Sequence, residues 1–170
     1  MENVFITSFS TSLPWGVIVL RLGCACTLGL AIGIDREVRD RPAGLRTHML
    51  TALAAAMFAL IAIEMMESLG TEDDNTRFDP IRVVEAVTAG VAFLAAGTII
   101  QARGSVKGLT TGAGMWLAGA VGLACGAGYL TVAAIGTLFA FVILLPVRII
   151  ESRFLGKRKI FGRKEKDNDG

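Results

Sequence analysis

The 170-residue chain is short of what a soluble enzyme of its size needs. It has one histidine, His48, three cysteines, four prolines, 7% aromatic residues and only 19% charged residues. Soluble domains carry more charge and more aromatic surface, which argues against a water-exposed globular fold. No nucleophile stands with a base and an orienting group, so no enzymatic activity is expected. Cys24, Cys26 and Cys125 all lie inside apolar stretches, where a thiol acts as a small hydrophobe. Cys24 and Cys26, two apart on a helix, point in different directions and make a poor metal clamp. Neither a disulfide nor a metal is expected there. Residues 1–13 contain Glu2 but no Lys or Arg. The basic start of a cleavable signal is thus missing, and the apolar run that follows is too long for one.

What the chain has is length in apolar runs. It is 53% hydrophobic, with a mean hydropathy of +0.59. Five runs stand out: Pro14–Ile34, Thr47–Met66, Ile81–Ile100, Thr110–Ala127 and Tyr129–Val147. At about 1.5 Å per residue each approaches the roughly 30 Å of a bilayer's hydrocarbon core. The last two are divided only by Gly126, Ala127 and Gly128. A sharp hairpin is expected there, because one continuous helix would overshoot the membrane. The expected fold is all-α: a polytopic membrane protein with a five-helix transmembrane bundle. The 20 glycines suit close helix packing, with Gly29 and Gly33 on the first helix and Gly112, Gly119, Gly122 and Gly126 on one arc of the fourth. The same faces would serve a homodimer.

Basic residues are almost absent from one side of these runs. Fourteen of the 17 Lys and Arg fall in the 35–46 loop, the 101–109 loop and the tail from Arg148. The opposite loops hold only Arg77. The positive-inside rule places the C-terminal tail in the cytoplasm and the N-terminus outside. Trp15 and Tyr129 then fall at the outer interface, where aromatic anchors belong. The organisation expected is an external segment 1–13, a transmembrane domain 14–147 and a basic cytoplasmic tail 148–170. That tail, with Phe154, Leu155 and Phe161 among its cations, suits anionic lipid head groups. Nucleic acid is not an expected partner.

Four charges fall within or at the end of the runs: Arg21, Glu64, Arg82 and Glu85. Counted along their helices, all four reach the outer third of the bundle. Charges inside a bilayer are costly, usually face the bundle interior and pair. Glu85 shares a helical face with Arg82, Ala89, Ala92 and Ala96; Arg21 shares one with Cys24, Ala25 and Leu28. Two readings stand side by side. In one, Glu85 titrates or coordinates an ion with Arg21 as counter-ion. In the other, the set is a structural salt bridge that orients helices while Arg82 reaches outward.

The remaining constellations are weaker. Residues 35–46 alternate in sign through Asp35, Arg36, Glu37, Arg41 and Arg46, with a turn expected at Pro42–Gly44 before Thr47. This is either a topogenic anchor or a cytoplasmic docking surface. Ser105, Lys107, Gly108, Thr110 and Thr111 precede the fourth helix. The order of Lys107 and Gly108 excludes a P-loop; a helix N-terminus with Lys107 and Thr110 nearby would suit an anion, but Thr110 or Thr111 is expected simply to cap the helix. The loop's glycine content also permits re-entry into the bundle. The acidic stretch Glu72, Asp73 and Asp74 is a candidate for hydrated Mg²⁺, as is Glu85, although no EF-hand spacing is present. His48, at the cytoplasmic start of the second helix, could sense pH, but a lone histidine at a helix end is more often interfacial, and that is the expectation.

Four stretches resemble one family in order: Gly29–Glu37, Arg41–His48, Gly90–Ile100 and Gly104–Thr111. They look like the MgtC/SapB family of bacterial inner-membrane proteins. The resemblance implies a five-helix membrane domain, adaptation to low magnesium, survival inside host cells and, in some members, inhibition of the F-type ATP synthase. Transport has also been proposed for the family. Larger members carry a soluble cytoplasmic domain after the last helix. The stretch after Val147 is too short for one, so a short form is expected.

Overall fold

The structure, a computed structural model, describes residues 11–38, 43–69, 79–102 and 105–144. The acidic stretch 72–74, Arg41, Pro42 and the basic tail lie outside them. The chain divides into two compact units, Met1–Thr137 and Leu138–Gly170. Of the second, only the end of the last helix is described, and Phe139, Val142 and Ile143 on it are exposed.

The elements run α1 (Trp15–Glu37), α2 (Leu45–Leu69), α3 (Pro80–Gly97), β1 (Ile100–Ala102), β2 (Ser105–Lys107), α4 (Leu109–Gly126) and α5 (Leu130–Leu144). Four helices, α1 to α4, are long and apolar enough to cross a membrane. The fifth expected run forms a helix as well, but only 15 residues of it fall in the described part. The protein is therefore a mostly helical membrane protein with four candidate spans.

The expected break at Gly126–Gly128 is present as a helix C-cap. Gly128 takes φ +91°, the Gly128 amide donates to the Cys125 carbonyl at 3.0 Å and the Tyr129 amide to that of Ala124 at 2.8 Å. This is the Schellman arrangement, which needs a left-handed residue. The start of α2 follows a turn at Ala43, which is left-handed at φ 59°. Trp15 and Tyr129 are both exposed.

Within the first unit α1, α2 and α4 pack on one another, and α3 packs mainly on α4. More than half of the α4 span is buried (56%), against 11% of the α3 span. The core is built mostly from small side chains around Ile32: Ala25 and Ile32 of α1, Ala52 and Ala56 of α2, Ala118, Val121 and Cys125 of α4, and Ala133 of α5. Where lipid surrounds a bundle, burial of apolar surface gives little drive, and close van der Waals contact between backbones takes over. The glycines supply that approach. A Cβ on Gly29 would stand 2.9 Å from the Ala52 Cβ; one on Gly126 would stand 2.7 Å from the Ala56 Cα. The α4 arc serves two neighbours, since Gly122 and Gly126 meet α2 while Gly112 and Gly119 meet α3.

The 101–109 segment differs from its expectation. It is a small antiparallel hairpin, with Ile100 paired to Lys107 and Gln101 to Val106. Strands of three residues are too short to leave a period in the sequence. Gly108 closes the hairpin at φ +91°, where a Cβ would collide with the Thr98 carbonyl. It is also the N-cap of α4, which has no side-chain cap. The expected capping by Thr110 or Thr111 is thus corrected. The helix begins one residue earlier, placing Thr110 exposed and Thr111 buried within its first turn.

Candidate functional site

The four intramembrane charges do not form one cluster. Arg21 donates from Nη1 to the Gly126 carbonyl at 2.9 Å, and its guanidinium lies where a Cβ on Gly128 would come within 2.7 Å of Nη2. It therefore ties α1 to the α4–α5 turn. Its face is the expected one, since Ala25 is buried and Cys24 and Leu28 pack on the core. Glu64, near the end of α2, accepts the Ser12 amide at 2.8 Å and the Leu13 amide at 3.1 Å. The amides just ahead of a helix gain from a carboxylate, and α1 has no side-chain cap of its own.

Glu85 departs from both readings, whereas an outward-facing Arg82 is part of the salt-bridge reading. Both residues are exposed, and neither forms an ion pair with Arg21 or Glu64 among the described residues. The reason is the other side of α3. Val87, Val91 and Ala95 are its buried residues, and Val91 fills the space left by Gly119, with its Cγ2 2.8 Å from where a Cβ would be. Branched side chains take the glycine-lined groove of α4, which turns Arg82 and Glu85 outward.

The opposite end of the bundle holds polar groups that are buried. Arg36 (5% exposed), His48 (0%), Thr51 (6%) and Thr111 (2%) come from α1, α2, α2 and α4. His48 is wedged between α1 and α4. A Cβ on Gly33 would meet its Cβ at 3.2 Å, and one on Gly114 would meet Nε2 at 3.1 Å. Its Nδ1 lies 2.9 Å from the Gly44 carbonyl. A carbonyl only accepts, so Nδ1 carries the hydrogen. Nε2 is buried with no hydrogen-bond partner. The expectation of an interfacial histidine is corrected: facing glycines on two helices open a slot that encloses the ring. The signal was in the sequence, because His48 and Ala52 lie four apart on one face of α2, the face that meets Gly29 and Gly33 of α1.

The 35–46 motif therefore has internal duties. Arg36 is buried, and Glu37 Oε2 accepts the Leu45 amide at 3.1 Å, fastening the first turn of α2 to the end of α1. Gly44 leaves room for that carboxylate, which a Cβ would overlap. Arg46 is exposed, and the Thr47 carbonyl accepts the Thr51 hydroxyl at 2.8 Å. Asp35 lies in α1, with its side chain outside the description. Glu37→Ala should cost about 1 kcal/mol, the size of a lost cap, while Glu37→Gln should retain part of it. Thermal unfolding in detergent checks this, and equal midpoints for the alanine variant and the native chain would reject the cap.

In the hairpin and at the start of α4, Ser105, Lys107 and Thr110 are exposed. Among the described residues no group of three or more His, Cys, Asp or Glu is placed to hold a metal. Glu85 stands alone, and Glu72, Asp73 and Asp74 are outside the description.

Comparison with known proteins bears on this arrangement. A family model described as MgtC family matches residues 22–153. Protein MgtC of Brucella abortus is 39% identical over 122 residues, covering 72% of this chain and 48% of that protein. An uncharacterized Synechocystis protein is 36% identical over 136 residues, covering 80% and 54%. The protein of Escherichia coli K12 named putative magnesium transporter YhiD is 31% identical over 143 residues, covering 82% and 64%. The chain thus spans about half of the length of the first two and somewhat more of the third. No solved structure matches. The family match starts within α1 and takes in the glycine-packed helices, the hairpin and the buried polar end, and on that coverage the chain belongs to the MgtC family.

Proposed function

We propose that this is a non-enzymatic protein of a bacterial inner membrane that serves magnesium-linked ion homeostasis by regulating another membrane complex. The observation that carries it is the bundle interior. Ala25, Ile32, Ala52, Ala56, Ala118, Val121 and Cys125 form an apolar, close-packed centre. Arg21 and Glu64 serve a turn and a helix start. A bundle so packed acts through its surfaces. The F-type ATP synthase is the partner class that the family resemblance brings, and low magnesium or acid stress is the setting. The charge asymmetry supports five crossings with the N-terminus outside and the basic tail on anionic lipid in the cytoplasm.

A second reading has its own support. The Escherichia coli relative is named a putative magnesium transporter, and Glu85 is a carboxylate on the outer face of a span. Ion flux in proteoliposomes separates the two. With Mg²⁺, K⁺ and H⁺ tested in turn, the regulator gives no flux above empty liposomes, while gentle purification from membranes retains a second complex. Flux that Glu85→Gln abolishes would establish a transporter and overturn the regulatory proposal.

A further inference from the structure

Helix α3 has two unlike sides. The inward side, Val83, Val87, Val91 and Ala95, packs towards the other helices. On the outward side stand Arg82, Glu85, Ala89, Ala92 and Ala96, all exposed. Their spacing is three, four, three, four. That is the seam of a left-handed helix pair. Three of the five are alanines, which let two helices approach closely. The other two are a cation and an anion in the first turns of an apolar span, with no side-chain partner among the described residues. An arginine reaches towards the interface on its long stem. A glutamate has a shorter reach and is left on a lipid-facing surface, where charge is costly.

We infer that this face binds a second copy of the chain, with α3 against α3 in parallel across a two-fold axis along the membrane normal. The charges choose the occupant. In such a pair Arg82 of each protomer meets Glu85 of the other, so one arrangement satisfies four charges and closes on itself. Arg82 and Glu85 are three residues apart, about 4.5 Å along the axis, which an arginine side chain spans. An uncharged partner helix would match the alanines and leave both charges in place. Phe93, 80% exposed on the flank of the seam, adds apolar contact. The inference goes beyond the regulatory proposal and stands independently of it, since a dimer is compatible with flux or with none.

Single cysteines at Ala89, Ala92 and Ala96, and at Leu94 as an off-seam control, test it by oxidative cross-linking in native membranes against the unsubstituted chain. A band at twice the mass is expected at 89, 92 and 96 and not at 94. In the Ala89→Cys background Arg82→Glu or Glu85→Arg should lower the yield roughly three- to tenfold, the effect of losing interhelical polar contacts in a membrane. The double exchange Arg82→Glu with Glu85→Arg should restore it. These residues face away from the protomer core, and an unchanged elution profile in detergent verifies folding. The inference is overturned by no dimer band, by equal cross-linking at 94, by a double exchange that does not restore the yield, or by cross-linking at the seam to a different protein.

Discussion

Gly122→Leu should leave almost no folded protein in the membrane. A Cβ at this position would overlap the Ala52 carbonyl oxygen and stand 2.6 Å from the Ala52 Cα and 2.7 Å from its carbonyl carbon. These are backbone atoms of α2. They cannot turn aside as a side-chain tip does, so α2 must move away from α4. One turn on, Gly126 is pressed as closely on Ala56, so the displacement would unseat two contacts. Overpacking a well-filled core costs about 1–3 kcal/mol and occasionally more. Here the obstruction is backbone and the insert a whole leucine, which sets the effect at the upper end or beyond. Gly90→Ala is the matched control. A Cβ on Gly90 meets nothing within 4 Å, and alanine gains up to about 1 kcal/mol over glycine inside a helix. Fluorescence-detected size exclusion of detergent extracts reads both. The close-packing account fails if Gly122→Leu elutes and melts like the native chain.

The glycines also show what could be read without coordinates. The pair Gly29 and Gly33 and the arc from Gly112 to Gly126 predicted close packing, because a residue without a Cβ on a membrane helix has few other uses. The helices themselves were legible from run length, and the break before α5 from Gly126 and Gly128. Sequence spacing could show that Arg82, Glu85, Ala89, Ala92 and Ala96 share a face. It could not show which side of α3 meets α4, since the valines opposite are equally at home against lipid. In water a polar stripe marks the outside of a helix. In a bilayer that rule lapses, and the choice falls to shape, here valine into a glycine groove.

Position along the helices was legible and partnership was not. Arg21 and Glu64 sit within or near the end of their apolar runs, as counting indicates. Each, however, satisfies a backbone group: the Gly126 carbonyl for one, the Ser12 and Leu13 amides for the other. Helix ends always carry orphan amides and carbonyls, and side-chain charges nearby go to them first. Glu37 on the Leu45 amide is the same arrangement at the other end. Counting charges by sign finds ion pairs and overlooks such caps.

His48→Lys should be as damaging as the glycine change, and His48→Met far milder. The ring occupies a closed slot between Gly33 and Gly114, with Arg36 also buried near that end. Lysine would put a second cation there, and a buried charge without a counter-ion costs several kcal/mol. Methionine has nearly the volume of histidine and a chain flexible enough for the slot. It gives up the Nδ1 bond to the Gly44 carbonyl. That carbonyl keeps a partner, because it also accepts the His48 backbone amide at 3.3 Å. Methionine also removes Nε2, a buried nitrogen whose missing hydrogen bond already costs stability. Gain and loss nearly cancel, so His48→Met should fall within about 1 kcal/mol of the native chain. Thermal unfolding in detergent gives the order. If lysine were tolerated as well as methionine, water would reach the slot, and the buried polar end would be a hydrated vestibule. If methionine folds like the native protein yet fails to restore growth at low magnesium in a strain lacking the native gene, the orphan Nε2 has a task in function and not in folding.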